Sequence, residues 1–242
     1  MIPAIDWALP WFAPWRQPGE AVVGEVDAGQ AVHAALNAHA PAPRFAPAEL
    51  LPPDEPYESF VRRSGSVPTR DNLHDLFNGV AWCVYPQTKA LLNRWQAEVI
   101  AREGIGARRG PLRDAITLFD ENGAVFSAPP VLLAALRSPD WQALFVTHRA
   151  SWPEARLWLF GHALVEKLVS PRKDITAHVL PAPPGLETPA EADAWMAANL
   201  TGPTLATKPF SPLPVLGVPG WCAASENPDF YRDEQVFRPA RR

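Results

Sequence analysis

Twenty-nine prolines are spread through 242 residues, and where they fall restricts the fold more tightly than any other feature of the chain. A proline fixes φ, removes a backbone donor and fits a helix only in its first turn. Pro10 and Pro14 fall between Trp7, Trp11 and Trp15, so residues 1–20 are predicted to form an extended arm whose aromatic anchors bury themselves against the body of the fold. The passage APAPRFAPAELLPPDEP, after a helix-prone segment 28–39, reads as an irregular connector. The proline-rich stretch 208–242 reads as an extended tail that wraps the surface.

Other prolines sit where a helix can start. Thr69 or Asp71 can cap a helix with apolar positions Leu73, Leu76, Phe77, Val80 and Ala81, and Pro86 can open the next, through Glu103. Gly110-Pro111 begins a short helical turn, after which TLFDENGAVF predicts a β-hairpin turning at Asn122-Gly123. Residues 129–146 predict a helix broken near Pro139, and 153–169 one strongly apolar central helix. ITAHVL alternates like a strand, and Thr188-Pro189-Ala190-Glu191 is a capping box that predicts a helix over 189–199. The expected fold class is α+β: an α-rich single domain over 1–242, with a small antiparallel sheet around the hairpin and the ITAHVL strand, and extended wrapping termini.

Charge and cysteine usage exclude several functions. The net charge is −4, and the tight basic pairs Arg62-Arg63, Arg108-Arg109 and Arg241-Arg242 read as solvated surface, so nucleic acid is not an expected partner. Cys83 and Cys222 lie far apart without CxxC spacing, which fits a reduced, cytoplasmic protein. The start MIPAIDWALPWFAPW lacks a basic region and an unbroken apolar core, and no run approaches the ~18 apolar residues of a membrane span. Gly-rich phosphate loops and Ser-centred elbows are absent from the sequence.

The segments VPTRDNLHDLFN, PQTK (86–89), RGPLRDAITLFDENGA (109–124), FGHALVEK (160–167), ITAH (175–178), LPVLGVPGW, NPDFY and VFRP occur in this order. Together with the DWALPWFAP start they resemble the domain of unknown function family 3025 over nearly the whole chain. The resemblance implies a single full-length domain in a bacterial protein. It brings no functional residues with it, so chemistry must come from the side chains.

Four constellations stand out. In RDNLHDLFN, His74 and Asn78 share one helix face, as do Asp71 and Asp75, next to Arg70. In FGHALVEK, His162 and Glu166 are four apart on a helix otherwise apolar, and a carboxylate there needs a partner. Arg113 and Asp114 precede the predicted hairpin, with Asp120, Glu121 and Asn122 in its turn. In KDITAHVL, Thr176 and His178 share a strand face. One reading is a metal-assisted hydrolase: His74, Asp75, His162, Glu166 and His178 gather around one divalent metal ion, Arg70 or Arg113 binds an anionic group of a small substrate, and Asp114 is a further catalytic candidate. The other is a non-catalytic scaffold that binds a protein partner, its polar cluster being a structural hydrogen-bond network. Both readings expect His74, His162 and Glu166 to meet across a helix contact.

Overall fold

The computed structural model describes residues 2–40, 42–104 and 110–239, so the Arg108-Arg109 and Arg241-Arg242 pairs lie outside the described residues. The N-terminal arm is folded rather than extended. A 3₁₀ turn at Pro10–Phe12, opened by its own proline, leads into helix α1 (Arg16–Asp27). Trp7, Trp11, Phe12 and Trp15 are all buried, as expected for aromatic anchors. Trp15 Nε1 donates to the Leu159 carbonyl at 3.2 Å. The Trp7 indole lies over Gly19, where any Cβ would collide with the ring. That missing side chain lets the arm close on α1.

Nine further helices follow among the described residues: α2 (Val32–His39), α3 (Tyr57–Ser64), α4 (Leu73–Val84), α5 (Pro86–Glu103), α6 (Pro111–Asn122), α7 (Pro130–Arg137), α8 (His162–Lys167), α9 (Pro189–Asn199) and α10 (Gly202–Ala206). Helices α5, α6, α7 and α9 each open on a proline, so the residue that limits helices elsewhere here marks their starts. Helix α9 carries the capping box as expected, Thr188 accepting from Glu191 N and Glu191 from the cap backbone. Its Asp193 is fully buried and accepts from the backbone N–H groups of Gln87 and Thr88, tying α9 to the start of α5.

The strands are β1 (Arg44–Pro47), β2 (Ser66–Thr69), β3 (Gly123–Ser127), β4 (Arg156–Leu159), β5 (Thr176–Ala182) and β6 (Ser211–Pro214). β1 and β2 pair in parallel, and the main sheet runs β4-β3-β5-β6. Its outer pairs are antiparallel as expected, but the central β3–β5 pair is parallel. One hydrophobic cluster extends from Trp7 to Phe237, and the fold is an α-rich α+β architecture with small sheets. Among the described residues no helix is long and apolar enough to cross a membrane.

Two expected elements differ, and both differences bear on the site. TLFDENGAVF is not a hairpin: residues through Asn122 complete α6, burying Ala115, Ile116 and Phe119 at helical spacing, and β3 begins at Gly123. Asn122-Gly123 therefore ends a helix instead of turning a hairpin. The expected helix over 153–169 is strand β4 followed by the six-residue α8, because Phe160 and Gly161 both donate backbone N–H bonds to the Gly123 carbonyl and interrupt any helix there. A Cβ on Gly161 would strike the backbone of Glu121 and Asn122. This glycine contact brings the start of α8 against the end of α6, and with them His162 against Asp120.

Candidate functional site

Most of RDNLHDLFN builds the place rather than the chemistry. Asp71 accepts from Val32 N at the start of α2, and Asn72 caps α4 by accepting from Asp75 N. Asp75 holds Arg70 through two side-chain bonds of 3.0 and 2.9 Å and also accepts from the Arg70 backbone N–H. With Leu76 and Phe77 in the core, helical spacing leaves His74 and Asn78 facing a cleft of about 440 Å³. Residues of α3, α4, α5, α6 and α8 line it.

His74 and His162 meet across the contact between α4 and α8. Their Nε2 atoms are 3.2 Å apart and their rings lie edge to face with centroids at 4.7 Å. Each ring is held from behind at Nδ1, His74 by a Glu166 carboxylate oxygen at 2.8 Å and His162 by the Asp120 carbonyl at 2.8 Å. A carbonyl only accepts, so His162 carries its proton on Nδ1 and turns the Nε2 lone pair toward His74. An ionised Glu166 likewise draws a proton to Nδ1 of His74 and leaves a second lone pair at Nε2. Two lone pairs at 3.2 Å repel, so an electrophile belongs between them: a proton or a metal cation.

Beyond His162 the network continues. Asp120 accepts from Lys89 Nζ at 2.6 Å, Lys89 also donates to Asn78 Oδ1 at 2.9 Å, and Asn78 Nδ2 donates to the Tyr57 hydroxyl at 3.0 Å. Lys89 is buried. Burial pushes the Asp120 carboxyl up, but Lys89 and His162 together overcome this and hold it below its ordinary value. Burial dominates at His162 and lowers it to about 4, with Asp120 pulling upward and Lys89 and His74 downward. Glu58 and Glu121 also line the cleft without a cation partner among the described residues. The residual charge of the cleft is therefore negative.

The His162 shift predicts how metal-free protein responds to acid. Its folded value of about 4 lies below the ordinary 6.5, so the unfolded chain takes up the proton first as pH falls. This contribution to stability is complete above pH 6.5 and drains away toward pH 4, by about 3 kcal/mol in all. Urea unfolding of chelator-treated protein at several pH values measures this, and His162→Gln is expected to flatten the profile.

The sequence-selected residues separate clearly. His74, His162 and Glu166 come together as expected. Asp75 and Arg70 pair with each other on the cleft wall. Arg113 is buried in the first turn of α6, Asp114 pairs with Lys208, and neither lines the cleft. His178 faces the Phe210 ring, centroids 6.2 Å apart, away from the cleft lining. Among the described residues no group of three or more His, Cys, Asp or Glu side chains is arranged to hold a metal ion. Tyr57 and Lys89 went unselected, although Lys89, Leu92 and Gln96 recur on the buried stripe of α5, where a lysine demands an internal partner.

The fold and cleft describe an α-rich α+β protein with a polar network on the wall of one cavity. The chain belongs to the family described as protein of unknown function DUF3025, which matches residues 43–241. Every residue of the network falls within that span. No curated protein and no solved structure matches the chain.

Proposed function

We propose that the protein is a metal-assisted hydrolase acting on a small substrate in this cleft, with one divalent cation held between the Nε2 atoms of His74 and His162. The observation that carries the reading is the 3.2 Å between these atoms together with the two acceptors behind the rings. Two imidazole nitrogens at ~2.05 Å from a tetrahedral zinc ion stand about 3.3 Å apart. A metal-binding histidine characteristically donates its other N–H to a carboxylate or carbonyl, which Glu166 and the Asp120 carbonyl supply. On this reading Glu166 orients His74 instead of binding the ion, and water and substrate fill the remaining positions. The cation would balance the unpaired Glu58 and Glu121, polarise a carbonyl or phosphoryl oxygen and acidify a bound water. All four ring nitrogens are engaged inside the cluster, so neither histidine is free to act as a simple general base.

A second reading rests on the two-histidine ligand count: a proton joins the rings, and the chain of bonds is a structural network in a non-catalytic binding protein. Thermal unfolding with added Zn²⁺, Mn²⁺ or Mg²⁺ separates the two. The hydrolase reading expects one of these ions at about 100 times its Kd to stabilise the protein by roughly 2.7 kcal/mol. His74→Ala should erase the metal effect and the hydrolysis of simple aryl esters or phosphate esters. Identical melting with and without every ion, and with and without His74, would remove the reading.

A further inference from the structure

Asn78 decides what Tyr57 can do. Lys89 carries only donors, so the carboxamide oxygen of Asn78 must face it, at 2.9 Å. The amide nitrogen is thereby turned to the Tyr57 hydroxyl and donates to it at 3.0 Å. That uses the hydroxyl as an acceptor, and its own proton has no acceptor among the described residues. Lys89 is in a similar position: two of its three N–H groups bind Asn78 and Asp120, and the third has no oxygen acceptor among the described residues, only the Trp82 ring with its centroid 5.6 Å from the ammonium. Both side chains line the cleft. A single carboxamide thus holds two spare donors side by side, one neutral and one charged, on the wall that also carries the histidine pair.

We propose that the Tyr57 hydroxyl and the Lys89 ammonium form an oxyanion subsite that receives the anionic oxygens of the substrate, as a carboxylate or a phosphoryl group. Burial holds the Tyr57 hydroxyl far above its ordinary value, so it stays protonated and can only offer its hydrogen to an incoming oxyanion. Donors fixed beforehand toward the place where negative charge arrives need no reorganisation when it does. The Asp120 carboxylate neutralises Lys89, and the unpaired Glu58 and Glu121 leave the cleft negative, so without the cation the subsite binds an anion weakly and its two donors act by direction rather than by net charge. The assignment deepens the hydrolase reading by naming its substrate class, yet the donor pair stands on its own hydrogen bonds and does not need the cation.

Inorganic phosphate titrated calorimetrically into chelator-treated protein tests the subsite apart from the metal. Wild type is expected to bind phosphate, Tyr57→Phe to bind it about tenfold more weakly, the loss of one hydrogen bond to a charged acceptor, and Lys208→Gln, which removes a cation outside the cleft lining, to bind it as wild type does. If Tyr57→Phe unfolds, the wild-type side-chain amide resonance of Asn78 supplies the readout and should shift on phosphate addition. Wild type that ignores phosphate, or a Tyr57→Phe protein that binds it equally well, would overturn the subsite. Failure of the metal reading would appear instead in the melting experiment with divalent ions, and would leave the phosphate result unchanged.

Discussion

A chain lacking residues 1–15 is expected not to fold. The deletion removes Trp7, Trp11, Phe12 and Trp15, none more than 8% exposed. Burying each such side chain contributes about 1.5 to 3 kcal/mol, so the four together account for roughly 6 to 12 kcal/mol, against a total stability of about 5 to 15 kcal/mol for an ordinary domain. The loss does not stop at the arm, because Phe12 and Trp15 pack on Phe77 of α4 and Trp15 also on Tyr85. Removing them would open a hole beneath the helix that carries His74. Circular dichroism and urea unfolding of residues 16–242 should show no cooperative transition at 25 °C. A melt within a few degrees of the full chain would contradict the packing described here and assign the arm to another surface. The arm precedes the span that matches the family, yet it supplies core.

Lys89→Met is expected to be the most damaging single change in the site. The lysine is 5% exposed and supplies the close cation of Asp120. The Asp120 side chain is 24% exposed, so leaving it without its partner costs toward the low end of the about 3 to 5 kcal/mol of a fully buried pair. The same substitution strips Asn78 Oδ1 of its donor and loosens the orientation of Tyr57. Replacing both partners, Lys89→Met with Asp120→Asn, should recover much of the loss, since the pair then leaves together and no charge remains unpaired. Equilibrium urea unfolding of the two single variants and the double variant gives the coupling directly. A Lys89→Met protein within about 1 kcal/mol of wild type would mean that water solvates Asp120 and that the network has little energetic coherence.

How far the site could be read from the chain depends on how local each signal was. The i, i+4 spacings of His74 with Asn78 and of His162 with Glu166 follow from helix geometry alone, and an isolated polar pair on an apolar helix must find another; these gave the meeting of α4 and α8. The Thr188 capping box and the helix-opening prolines are equally local. Tyr57 and Lys89 join the site only because α3 and α5 pack together, a long-range fact that neither segment announces. Asn122-Gly123 misled for a physical reason. The same two residues suit a hairpin turn or the end of a helix, and only the Gly161 backbone bonding to Gly123 chooses the second. Arg113 and Asp114 lie in the first turn of that helix, Arg113 buried and Asp114 paired with Lys208, so neither reaches the cleft. His178 lies on the expected strand, but its neighbour there is Phe210.

The central claim is that the two facing lone pairs of His74 and His162 hold a cation, and metal content tests it most directly. Protein purified without a histidine tag, dialysed against trace divalent metals and freed of loosely held ions should retain close to one divalent ion per chain by elemental analysis. His74→Ala and His162→Ala should each retain less than about a tenth of that, because a single remaining imidazole holds no structural site. A wild-type protein that also retains less than about a tenth of an ion per chain under these conditions would contradict the claim, leaving a proton between the rings and a structural network in place of a metal centre.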